Sequence, residues 1–83
     1  MTEQHERDLL ARIAAEPGKM GGKPIIRARR ITPAMVLKML AAGATRAQVL
    51  EAYPVLENAD INACLLYAAR AAERVDPAAI SAE

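Results

Sequence analysis

The sequence has no phenylalanine and no tryptophan, and its 83 residues include only two tyrosines, one cysteine, one histidine and one serine. Each scarcity excludes something. Hydrophobic types make up 53% of the chain, but 19 of those residues are alanine, so the core rests on Leu, Ile, Val and Met without the large areas aromatics bury. A chain this short buries only roughly 60% of the surface it exposes when unfolded, which predicts one domain of marginal stability. Self-association would supplement it, most simply as a homodimer. A single cysteine forms neither an internal disulfide nor a cysteine-rich metal site. With His5 near the terminus and Cys64 in an apolar helical stretch, no nucleophile–base pair and no metal site are expected, hence no cofactor and no enzyme. No apolar run of about 18 residues occurs. The N-terminus, with Glu3, Glu6 and Asp8 beside Arg7, lacks the basic flank and apolar stretch of a secretory signal. We therefore expect a cytoplasmic protein without membrane contact.

The last absence is of acid. Net charge is +1, but residues 17–50 hold Lys19, Lys23, Arg27, Arg29, Arg30, Lys38 and Arg46 and not one carboxylate. The flanking stretches are net acidic, with Glu3, Glu6, Asp8 and Glu16 before it and Glu51, Glu57, Asp60, Glu73, Asp76 and Glu83 after. A basic stretch of this length fits an anionic surface such as a phosphate backbone. The competing explanation is that it docks on the acidic C-terminal part of its own chain.

Local signals organise the chain. Residues 1–11 are expected to be a flexible N-terminus. LLARIAA at 9–15 is too short to decide helix against strand. PGKMGGKP, positions 17–24, has the prolines and glycines that exclude regular structure. IIRARRIT, 25–32, suggests a short strand or extended arm with Ile26 or Ile31 inward and arginines outward. Thr32-Pro33 is an N-cap followed by proline at the first helical position, and Gly43 ends that helix. Val36, Leu37 and Leu40 form its inward stripe. Thr45 and Gln48 have capping-box spacing and open a second helix, with Val49, Leu50 and Tyr53 inward, that Pro54 ends. Asn58 is a candidate N-cap for a third helix, with Asp60 near the positive end of its dipole. On that helix Ile61, Leu65, Ala68 and Ala72 are expected to face the core, while Cys64, Leu66, Tyr67 and Ala71 make a second apolar face suited to a dimer interface.

The expected domain therefore spans 12–75, with a basic β or extended arm (12–32), helices at 33–42, 45–53 and 58–74, and a tail at 76–83. The middle helix, short turn and longer helix have helix-turn-helix proportions.

Chemistry is limited. GKMGGK at 18–23 fails as a phosphate loop, because Pro17 and Pro24 stand where that motif needs glycine and a hydroxyl residue. Glu51, Glu57 and Asp60 sit as partners of helix dipoles rather than as an acid–base pair. The basic residues offer more. Arg27, Arg29 and Arg30 on an extended arm, with Lys23, suit phosphates or a groove. Arg46 opens the middle helix, where backbone contacts are common, and Asn62 on the long helix could read adenine. Specific base recognition does not follow from these residues alone.

Positions 16–69 resemble the small bacterial family called domain of unknown function 433. The resemblance rests on Pro17, Gly21, Gly22, Lys23, Pro24, Ile26, Arg30, Ile31, Ala42, Gly43, Tyr53, Pro54, Asp60 and Ile61. A glycine of the family pattern falls at Ala28. The resemblance implies a homeodomain-like helical fold preceded by a short β element, with Arg12 to Ala14 as strand. It also implies an antitoxin-like role: neutralising a PIN-like ribonuclease toxin and binding the protein's own promoter DNA. The alternative is a protein-interaction module that does not bind DNA, dimerises and masks an acidic site on its partner.

Overall fold

The computed structural model describes residues 2–74. Four helices and one β-hairpin follow in the order α1 (Glu3–Leu10), β1 (Ile13–Ala15), β2 (Pro24–Ile26), α2 (Pro33–Ala41), α3 (Arg46–Ala52) and α4 (Asn58–Glu73). The expectation of a mainly helical domain with a short β element holds. The expected flexible start at 1–11 does not, because Glu3–Leu10 is helical. Thr2 caps that helix by accepting from the His5 N–H (3.1 Å), and Glu3 and Arg7 pair one turn apart at 2.7 Å. Such local pairs contribute only tenths of a kcal/mol, so a helix this short depends on tertiary packing. Leu9 is 4% exposed in the core, and Glu6 meets Arg70 of α4 at 2.7 Å.

The strands are antiparallel, with Ile13 opposite Ile26 and Ala15 opposite Pro24. The strand implied at Arg12 to Ala14 thus begins one residue later. Positions 17–24 are also more regular than expected. A 3₁₀ turn spans Met20–Gly22, and Pro24 begins β2.

The caps at Thr32 and Thr45 form as expected. Each threonine hydroxyl accepts from the backbone three residues on, Met35 and Gln48 respectively, and the Gln48 side chain returns a bond to the Thr45 N–H. At α4 the cap differs from expectation. Glu57 occupies the N-cap position rather than Asn58, and the Asp60 carboxylate accepts from the Glu57 N–H at 2.8 Å.

Ile26, Val36, Val49, Ile61, Ala63 and Cys64 form the fully buried centre, joined by Leu9, Ile13, Ile31 and Leu56. Anchoring of Asp60 sets the rotation of α4. With 60, 61 and 64 turned inward, Leu65 is 43% exposed and Ala72 lies on the surface, both contrary to the expected core stripe. The expected tail at 76–83 lies outside the described residues.

Candidate nucleic-acid interface

The basic segment contains one sharp turn that sorts its arginines. Arg27 and Ala28 both have left-handed backbone (φ +46° and +59°), and the Arg29 N–H donates to the Ile26 carbonyl at 2.8 Å. Positive φ at both central residues is the pattern of a type I′ turn, whose twist matches a tight reversal of the chain. Ala28 stands where the resemblance places glycine, the residue that adopts this conformation without a Cβ penalty. The Ile26 N–H closes the loop on the Ile31 carbonyl at 2.9 Å.

Inward of the turn, Arg27 is engaged by acceptors of its own chain. Its Nε reaches both Asp60 oxygens (3.0 and 3.2 Å), and its Nη2 donates to Asp60 Oδ2 (3.0 Å) and to the Val55 carbonyl (2.6 Å). Arg12 completes the cage by donating to Asp60 Oδ1 at 3.0 Å and to Glu57 Oε1 at 2.9 Å. The Asp60 side chain has no exposed surface. Burial pushes its carboxyl pKa up. Bonds from Arg27, from the Glu57 N–H and from Arg12 outweigh that, and the group titrates below the usual carboxylate range. The same bonds to Glu57 and Asp60 raise the Arg12 pKa. Arg27 was expected in the DNA-facing set; its role here is structural. The sequence hides this because Asp60 is 33 residues away.

Outward of the turn, Arg29 and Arg30 are exposed, as is Lys23 at the end of the hairpin loop and Lys38 on α2. Among the described residues, none of these four stands in an ion pair. Lys19 Nζ reaches the Ala28 carbonyl at 3.2 Å, which brings the hairpin loop beside the arginine turn. Lys23 and Lys38 line one groove at the start of α2, where Thr32 follows Arg30 by two residues.

Arg46 and Asn62 were expected to act separately, yet they bond to one another, Nη2 to Oδ1, at 2.7 Å. Positions 60 and 62 of a helix are about 200° apart around its axis. Arg27 and Arg46, each holding one of them, therefore approach α4 from nearly opposite sides. The expected interface separates into two parts: Lys23, Arg29 and Arg30 at the hairpin end, which Lys38 joins, and the Arg46–Asn62 pair across α4.

Of the residues expected at a dimer interface, Ala71 is exposed, while Leu66 and Tyr67 are half-buried against the core. Cys64, expected at that interface, belongs instead to the core, with no exposed surface. Burial, assisted by the nearby Asp60 charge, pushes its thiol up to about 11, so it is protonated and unreactive at neutral pH. Leu65, expected in the core, is instead a large apolar side chain exposed on this helix. It shares a shallow groove with His5, Asn62, Leu66 and Ala69.

These elements define a small, mainly helical domain fronted by a β-hairpin with exposed cations that stand in no ion pair among the described residues. The chain belongs to the family described as protein of unknown function (DUF433), whose profile matches residues 13–68, from β1 to within α4. No curated protein and no solved structure matches it. Among the described residues, no helix is long and apolar enough to cross a membrane.

Proposed function

We propose that this protein is an antitoxin-like, DNA-binding regulator that acts as a cytoplasmic homodimer, binds its own promoter and neutralises a PIN-like ribonuclease toxin. The observation that carries DNA binding is the separation of the cations: Arg12 and Arg27 are bound to acids, whereas Lys23, Arg29, Arg30 and Lys38 are free to meet phosphate. Counterion release on such contacts drives affinity without specifying sequence. Sequence reading falls to α4 if α3 and α4 act as a helix-turn-helix, with Arg46 holding the Asn62 amide in one orientation toward a base. The antitoxin role follows the family resemblance.

The test is titration of the purified protein with duplex from upstream of its own gene, beside scrambled duplex, at roughly 50 and 200 mM salt. Tighter binding to its own sequence that persists at higher salt supports the regulator. Equal or absent binding favours the second reading, a protein-interaction module. That reading draws on Leu65 and Ala69, which make the outward side of α4 more apolar than a base-reading helix requires. If α4 forms the dimer, Leu65→Glu yields monomers in a sizing measurement. A surviving dimer moves that interface elsewhere.

A further inference from the structure

The groove at the start of α2 has a chemistry that phosphate binding does not use. Its volume is about 640 Å³, and it is walled by the 3₁₀ turn, β2, α2 and α4. Met20, Pro24, Pro33, Met35 and Tyr67 make its surface mainly apolar. The wall carries two hydroxyls, of Thr32 and Tyr67, and that of Thr32 already accepts from the Met35 N–H. The charged groups are the ammoniums of Lys23 and Lys38, and among the described residues no carboxylate lines the groove. Met20 is held in left-handed backbone (φ +49°), a costly conformation for a long side chain outside glycine. Methionine walls adapt to whatever apolar shape enters, so Met20 and Met35 suit a side chain of variable form.

We propose that this groove docks an acidic, apolar segment of a partner protein: an aliphatic or aromatic side chain enters between Met20, Met35 and Tyr67, and flanking carboxylates meet Lys23 and Lys38. A nucleic-acid backbone supplies the negative charge but no apolar side chain to fill the space, whereas a neutral peptide leaves the two lysines unanswered. Charge complementarity of this kind fixes orientation and partner choice. The proposal stands whether or not the chain binds DNA.

The experiment is selection of a random peptide phage library on the immobilised full chain, followed by anisotropy titration of the synthesised winners. Enriched peptides are expected to place Asp or Glu beside Leu, Met, Phe or Trp. Lys23→Glu with Lys38→Glu should weaken them by roughly tenfold or more, since both contacts reverse sign. Ala34→Glu, at an exposed position lining the groove, should do the same without touching the core. No enrichment, enrichment without carboxylates, or peptides whose affinity survives all three changes would overturn the proposal. Lys23→Glu abolishing duplex binding with no peptide enriched would also overturn it, by assigning the lysines to phosphate.

Discussion

Arg27 and Arg29 are separated by one residue and have opposite occupations. The first grips a carboxylate with no exposed surface; the second stands in solvent and pairs with no acid among the described residues. Composition treats them alike, and the basic segment looks uniform along the chain. The difference comes from the left-handed turn between them, which sends one guanidinium toward α4 and the next two away from it. Local charge density therefore overstates the binding surface, and the partner of each cation decides its role. Arg12 makes the same point from just before β1, because its neighbours in sequence give no hint that it reaches Glu57 and Asp60.

The strongest way to break the contrast is to remove the buried acid. Asp60→Ala leaves Arg27 without a carboxylate, Arg12 with Glu57 alone and the Glu57 N–H without its acceptor, and loss of a partner from such a buried pair costs about 3 kcal/mol or more. In a domain of marginal stability this should bring thermal unfolding near room temperature by circular dichroism. A loss below about 1 kcal/mol would mean that water replaces the cage.

Acid should loosen the same site more gradually. Because the folded carboxyl titrates below its unfolded value, its contribution is fully present above the ordinary carboxylate range and is lost as the pH falls through the folded pKa. Denaturant midpoints followed down in pH should fall for the natural protein, and Asp60→Asn should remove that part of the slope. Parallel curves for the two proteins would show that other acids carry the effect.

Arg29→Glu with Arg30→Glu tests the outer half. Stability should stay within about 0.5 kcal/mol of the parent, as for exposed sites without partners. Duplex affinity should fall by roughly tenfold or more, and the salt slope should flatten by about 2 if each arginine meets one phosphate. An unchanged slope removes the turn from the DNA surface.

The smallest expected effect sharpens the turn itself. An L-residue in left-handed backbone costs roughly 1–2 kcal/mol, part of which glycine's unfolded-state entropy offsets. Ala28→Gly should therefore stabilise by about 0.5 kcal/mol in a denaturant titration. A destabilised Ala28→Gly would show that the Cβ packs usefully.

The helices at 33–42, 45–53 and 58–74 were legible to within a residue or so because threonine caps, Pro33, Gly43 and Pro54 are local signals. The first helix was not, since its short polar sequence becomes stable only through Leu9 and Arg70, a partner 64 positions away. Facing was legible for Val36, Val49 and Ile61 but not for Cys64, Leu65 and Ala72 on α4, where alanine, leucine and cysteine surround the axis and the Asp60 anchor chooses a side. The candidate interface was legible as a list of cations; its division into bound and free members depends on contacts across the whole fold.

The Asp60 cage also bears on how the chain folds. Its bonds span 33 and 48 residues, whereas the caps of α2 and α3 span three. Closing long loops costs more chain entropy than completing a helical turn, so the capped helices have the head start and the carboxylate is a clasp that shuts late. Weakening a late contact shows mainly as faster unfolding with little change in the refolding rate. Asp60 is thus a latch on the native state's lifetime: it governs how long the hairpin and α4 stay together once assembled.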